Sequence, residues 1–164
     1  MTSKELFREI SRATTIAKNR LSAPEALNKA FYYQRPSSSS RGLRLDFGNI
    51  AGLLMSGTAS VGPNSETLHV GDFRAQTRRT FANITALLKS EGAAWKDVVW
   101  TTCYLRDIER DYVEFNEERT AFYTSQALDP LPASTGIQAK LCRPDLLVEI
   151  ETIAIFRDNR APKE

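Results

Sequence analysis

Two carboxylates, Glu149 and Glu151, stand two residues apart in the stretch 146–156, Leu-Leu-Val-Glu-Ile-Glu-Thr-Ile-Ala-Ile-Phe. This is the strongest strand signal in the chain, because β-branched and apolar residues dominate it and neither Gly nor Pro interrupts it. Side chains alternate along a strand, so both acids share a face with Leu147, Ile153 and Ile155. Val148, Ile150, Thr152, Ala154 and Phe156 share the other. An acid at the mouth of a buried sheet is either ion-paired at the rim or kept for chemistry. Partial burial beside apolar neighbours raises a carboxyl pKa toward neutrality, and such a group can act as a general acid or activate water as a general base. Glu149 carries both readings. Glu151 reads as a structural ion-pair residue within an oligomer.

Other residues could join such a site. Cys142 lies seven residues before Glu149 and is either a nucleophile or a small polar wall. A nucleophilic thiol needs a base beside it, and the one histidine, His69, falls in a loop. Gly57 could bring backbone N–H groups close to a substrate oxygen, with Thr58 adding a hydroxyl, or it could simply make a tight turn. Asn116, on a helix, could cap a backbone group or contact a ligand. Arg106 and Arg143 stand at strand ends, where a guanidinium is either a surface ion-pair partner or an anion clamp.

The elements that must hold these residues can be read from periodicity and punctuation. Residues 43–47 and 52–58 alternate as strands about a Gly48-Asn49 turn. Asp72 caps a helix whose apolar stripe is Phe73, Thr77, Phe81, Ile84, Leu87 and Leu88, and Gly92 stops it. Residues 97–105 form a strand. Asp111 with Glu114 predicts a capped second helix carrying Tyr112, Phe115, Arg119 and Phe122 on one face, ended at 129–132. Residues 135–141 alternate as a strand before Pro144-Asp145 turns into 146–156. The compact domain therefore runs over 41–157. Residues 1–40 read as a short amphipathic helix (Leu6, Phe7, Ile10, Thr14, Ala17) and an irregular arm that docks through Phe31, Tyr32 and Tyr33; 158–164 is a polar tail.

Two helices can cover one face of this sheet, yet 53–55, 98–100 and 153–156 are apolar on both. Soluble monomers rarely leave such a patch open, which predicts an oligomer, with ring symmetry as a natural way to bury it. Cover by the N-terminal arm is the alternative. The 164 residues, 41% hydrophobic and 26% charged, suit one domain with a sizeable core. A net charge of +2 from 22 basic and 20 acidic residues, with no basic block, gives no reason to expect nucleic acid. No apolar run is long enough for a membrane span, and the N-terminus lacks an apolar signal core. Two cysteines and one histidine make no zinc-type ligand set. A cytoplasmic protein with reduced thiols is expected, with no cofactor.

From Gly42 to Phe156 the sequence resembles the Rid family, also called YjgF-type or "endoribonuclease L-PSP" proteins. The resemblance rests on Met55-Ser56-Gly57, Asp72-Phe73-Arg74-Ala75-Gln76-Thr77 through Leu88, and Asp97-Val98-Val99 running to Tyr104-Leu105. Phe115-Asn116-Glu117, Leu131-Pro132-Ala133 and Val148-Glu149-Ile150-Glu151 follow in order. It implies an α+β, chorismate-mutase-like mixed sheet with two helices on one face, in a homotrimer with a central barrel-like core and three clefts between subunits. Gly57, Asn116 and Glu149 match the family's site positions. The family's enamine and imine hydrolases clamp the substrate carboxylate with an Arg in Pro-Ala-Arg-Ser; here that position is Ser134, which cannot make the bidentate charged pair. Arg106 and Arg143 are then the candidate replacements, and Ser40 stands near the place of an expected aromatic.

A second likeness, at Ser56-Gly57-Thr58-Ala59-Ser60, His69-Val70-Gly71-Asp72 and 141–151, is to the C-terminal half of chorismatases. It places their catalytic glutamate on Glu149 and a variable cleft position on Cys142. Together the resemblances imply a hydrolase or deaminase binding a small carboxylated metabolite, with Glu149 as general acid/base on an enamine, imine or enol ether. The ligand-contacting set is Gly57, Thr58, Arg106, Asn116, Ser134, Cys142 and Arg143. The alternatives are a non-catalytic small-molecule-binding trimer and a chorismatase-like enolpyruvyl hydrolase. The absence of a His/Lys constellation counts against ribonuclease chemistry.

Overall fold

A computed structural model of the chain describes residues 16–27 and 38–158. Its elements are β1 (Ala17–Arg20), β2 (Gly42–Phe47), β3 (Ile50–Ala59), α1 (Phe73–Ser90), β4 (Val98–Leu105), α2 (Ile108–Ser125), β5 (Ala133–Gln138) and β6 (Val148–Arg157), with a 3-10 turn at Trp95–Asp97. The six strands form one sheet in the order β1-β2-β3-β6-β4-β5. All neighbours are antiparallel except β4 and β5, which run parallel with α2 as their crossover, as a parallel pair requires.

β6 sits near the middle, paired with β3 on one side and β4 on the other. Its alternation holds: Val148, Ile150, Thr152 and Ala154 are fully buried, packed with Leu53, Val98 and Leu105 against Phe81, Ile84, Leu87, Leu88, Phe115 and Tyr123 of the helices. The apolar stripes of both helices therefore meet one sheet face. The other face stays open, exposing Leu54 (42%), Trp100 (40%), Ile153 (37%) and Ile155 (52%).

Helix boundaries follow local chemistry where the backbone offers no competitor. Asp72 caps α1 by accepting from the Ala75 N–H at 2.9 Å. Gly92 (φ +77°) ends it in a Schellman motif, with Ala93 N–H bonded to the Leu88 carbonyl and Gly92 N–H to that of Lys89.

Three expectations need correction. α2 starts at Ile108, capped by Asp107 accepting from Arg110 N–H at 3.0 Å, and Asp111 is instead a buried partner of Arg110. Two aspartates four residues apart can cap equally well; β4 ends at Leu105, so the earlier one is reached first. β5 covers 133–138 rather than 135–141, because its register follows β4, from Trp100↔Ala133 to Leu105↔Gln138. Ala17, placed on a helical stripe by spacing, lies in a strand that extends the β2 edge, Ala17↔Asp46 to Arg20↔Leu43. An available ladder outweighs weak local periodicity. Leu21 and Leu27 then dock into the core. Most of the expected N-terminal helix, the aromatics 31–33 and nearly all of the polar tail lie outside the described residues.

Candidate functional site

The pairing of β3 with β6 slips between Met55 and Thr58. Met55 opposes Thr152 and Thr58 opposes Ile150, so Ser56 and Gly57 together face Glu151. This two-against-one arrangement is a β-bulge, a device that redirects side chains beside functional sites. The Thr58 hydroxyl bridges it by donating to the Ser56 carbonyl at 3.0 Å, and Asn83 fixes its far end by donating to the carbonyls of Ala59 and Val61 at 2.9 Å each. Glu149 lies against the bulge. A Cβ at Gly57 would fall 1.8 Å from Glu149 Oε1 and 2.7 Å from its carboxyl carbon, so the missing side chain makes the carboxylate's place.

Glu149, Gly57, Ser56, Ser40, Cys142 and Arg143 line a cavity of about 210 Å³. Burial pushes the Glu149 carboxyl above the ordinary carboxylate range and the nearby charge of Glu151 pushes it further; Arg41 and Arg143 partly offset both. Glu151 is held by the Tyr104 hydroxyl, which donates to Oε2 at 2.9 Å. A carboxyl whose pKa is raised in this way is a better proton donor at a given pH than an exposed glutamate, and its conjugate carboxylate is a stronger base. Cys142 is exposed on the cavity wall; Cys103 is buried, and burial raises its thiol pKa.

The loop before Glu149 is held by Gln76, which spacing did not single out, and by Arg106, which it offered for another role. Gln76, fully buried on α1, accepts from Leu147 N–H at 2.9 Å and donates to the Asp145 carbonyl at 2.8 Å. Its sequence signal was a polar residue inside an apolar helical stripe. Arg106 donates from Nε to the Leu146 carbonyl and from Nη2 to that of Arg143. Its guanidinium thus braces the loop and is not among the groups lining the cavity. Thr58, 1% exposed and bonded across the bulge, is likewise a brace. Arg143 lines the cavity and donates to Ser65 O at 2.6 Å and to Thr67 Oγ1 at 3.3 Å. His69 contributes its backbone carbonyl, which accepts from Asp72 N–H, and its side chain is exposed.

The remaining two candidates stand apart from this cavity. Ser134 on β5 accepts from Thr101 Oγ1 at 3.0 Å and from Arg119 Nη1 at 3.1 Å. Asn116 accepts from Arg119 Nη2 and donates to the Tyr112 carbonyl at 2.9 Å. Thr101 is buried with the helix-covered side of β4, whereas Glu149 and Glu151 belong to the open side of β6. Within one chain, then, Gly57, Glu149, Cys142 and Arg143 form one group, and Asn116 and Ser134 form another around Arg119. Among the described residues there is no group of three or more His, Cys, Asp or Glu that could hold a metal ion, and no helix long and apolar enough to cross a membrane.

The family model described as "Endoribonuclease L-PSP" matches residues 48–156. The 3-aminoacrylate deaminase RutC of Acinetobacter baylyi is 33% identical over 100 residues, 61% of this chain and 75% of that protein. A RutC family protein of Pyrococcus abyssi is 30% identical over 102 residues, 62% of this chain and 76% of its own. The crystal structure of the YjgF gene product from E. coli superposes with a TM-score of 0.68 at 26% identity, covering 85% of this chain and 99% of that one. The six-stranded mixed sheet with two helices is the arrangement shared with that structure.

Proposed function

The chain belongs to the endoribonuclease L-PSP family, known also as Rid or YjgF-type, and on that premise we propose that it is a deaminase-type hydrolase of a small carboxylated enamine or imine with Glu149 as general acid and base. The likeness to a 3-aminoacrylate deaminase supports the deaminase-type role. The observation that carries the reading is the carboxyl of Glu149 set into the space above Gly57, half-buried and raised in pKa, within a cavity that Arg143 also lines.

In this reading Glu149 gives its proton to the enamine carbon, leaving an iminium group. Water adds to the C=N carbon while the carboxylate takes the proton that water loses. Collapse of the carbinolamine expels ammonia and leaves the oxo acid, so one water is consumed for each amine released. An imine substrate enters at the second step.

The working unit is a homotrimer, its open sheet faces turned together. The exposed Leu54, Trp100, Ile153 and Ile155 support this, since a patch of that kind is costly in water. The cleft then lies between copies: one contributes the Glu149 cavity and its neighbour the Asn116–Arg119–Ser134 corner. Substitution of Glu149 by Gln tests the chemistry. Turnover of 3-aminoacrylate or 2-iminobutyrate falls by about 10²–10⁴-fold, the range for one acid–base group, and full activity in that variant refutes the role.

A second reading, a trimer that binds such molecules without turning them over, is favoured by Ser134 standing where the resemblance expects a clamping Arg. Ligand-dependent thermal stabilisation with no ammonia or oxo acid formed marks that outcome. Chorismate belongs in the same screen, because protonation of an enol ether carbon uses the same carboxyl.

A further inference from the structure

Arg119 is held in a different manner from the other well-placed arginines of the chain. Arg44, Arg74, Arg78 and Arg110 answer carboxylates. Arg79, Arg106 and Arg143 donate to backbone carbonyls. Arg119 makes no ion pair among the described residues. Its Nη1 donates to Ser134 Oγ at 3.1 Å, its Nη2 to Asn116 Oδ1, and its guanidinium carbon lies 5.1 Å over the Phe115 ring centroid. Three neutral groups fix its plane, and none of them offsets its charge.

Ser134 extends this arrangement. Its oxygen accepts from both Arg119 and Thr101, and a hydroxyl has two acceptor positions and one proton. With both acceptor positions taken, the proton is available to an outside acceptor or to Cys103 Sγ at 3.8 Å. The edge is accessible as well: every residue of β5 is exposed, and Gly136, two positions on from Ser134 and so on the same face, places no side chain beside Tyr112.

We infer that Arg119, with the Ser134 hydroxyl beside it, binds the carboxylate of the ligand, supplying from α2 the cation that position 134 of β5 lacks. A pre-oriented fork with unneutralised charge suits a planar, bidentate anion better than a flexible ammonium does. The inference rests on the cleft reading above, since it needs the α2–β5 corner and the Glu149 cavity of a neighbouring copy to hold the same molecule.

The test is a titration of the intact protein with 2-oxobutyrate and with the neutral 2-oxobutanamide, followed by NMR shifts and melting temperature. The wild type prefers the carboxylate by about 10- to 100-fold, the value of a charge-assisted pair. R119Q loses that preference, and R119K, which keeps the charge but not the fork, weakens it several-fold and guards against a folding failure of the first variant. In turnover R119Q raises KM with kcat little changed, the mark of lost uniform binding. Glu149→Gln keeps the carboxylate preference. The inference is overturned if R119Q retains the preference or the wild type has none. Full turnover in Glu149→Gln with the preference still dependent on Arg119 overturns the acid–base reading alone.

Discussion

The Glu149 carboxylate occupies the volume that a side chain at Gly57 would fill, its Oε1 lying 1.8 Å from the position of a Cβ there. The contact exists because the bulge at 56–57 lets two residues of β3 oppose Glu151 of β6. Gly57 is thus a condition for the carboxylate's placement.

Substituting Gly57 by Ala separates placement from folding. The clashing atoms are the carboxyl and Cγ of a long flexible side chain, so Glu149 swings aside while the sheet survives. The expected result is a melting temperature within a few degrees of wild type, since surface changes usually stay within about 0.5 kcal/mol, and an activity loss approaching that of Glu149→Gln. Retained activity with a clear crystallographic displacement of Glu149 shows that the carboxylate's position is not needed.

Glu149 also imposes a pH dependence of known sign. Its folded-state pKa is raised by burial and by Glu151, so between the ordinary glutamate pKa and the raised value the native state binds more protons than the unfolded chain. Stability contributed by this site therefore falls as pH rises through that window. Glu149→Gln is more stable than wild type at neutral pH, and the difference vanishes below the ordinary carboxyl pKa. Paired thermal melts across pH 3.5–8 check it (a span of about four pH units brackets both forms). In the proposed reaction the first proton goes from Glu149 to carbon, so kcat/KM is expected to decline on the alkaline side of the same raised pKa.

Gln76 couples folding to the site. Its amide bonds Leu147 N–H and the Asp145 carbonyl from inside the core. In Gln76→Leu both backbone groups lose their partner, at about 1–3 kcal/mol for each buried group left unsatisfied. Urea unfolding measures the loss, and a simultaneous drop in the Glu149 pKa shows that the loop has opened to water. An unchanged unfolding midpoint contradicts the assigned role.

The open sheet face predicts its own disruption. Ile155→Glu or Trp100→Asp places a charge where side chains are 52% and 40% exposed in the single chain, so the protomer tolerates it. Between packed copies the same charge is buried without a partner. Light scattering follows the change: a wild-type mass of three protomers falls to one. A wild-type mass of one protomer removes the basis of the shared cleft.

Sequence alone determined whatever depends on near neighbours. The faces of β6, the Asp72 cap, the Gly92 stop, the Gly48-Asn49 turn and an uncovered apolar sheet face all follow from periodicity and from backbone groups within a few residues. The strand pattern singled out Glu149, the resemblance put Gly57 and Glu149 at matching site positions, and the structure brings them together. Only tertiary structure decided what depends on residues far apart in the chain. It turned Ala17–Arg20 into an edge strand because β2 offered a ladder, and it set the β5 register by β4. It placed the guanidinium of Arg106 on the loop carbonyls and that of Arg119, 15 residues away in sequence, beside Ser134. Long side chains reach several angstroms in many directions, and which acceptor they meet is fixed by how the elements pack, a relation no local spacing encodes.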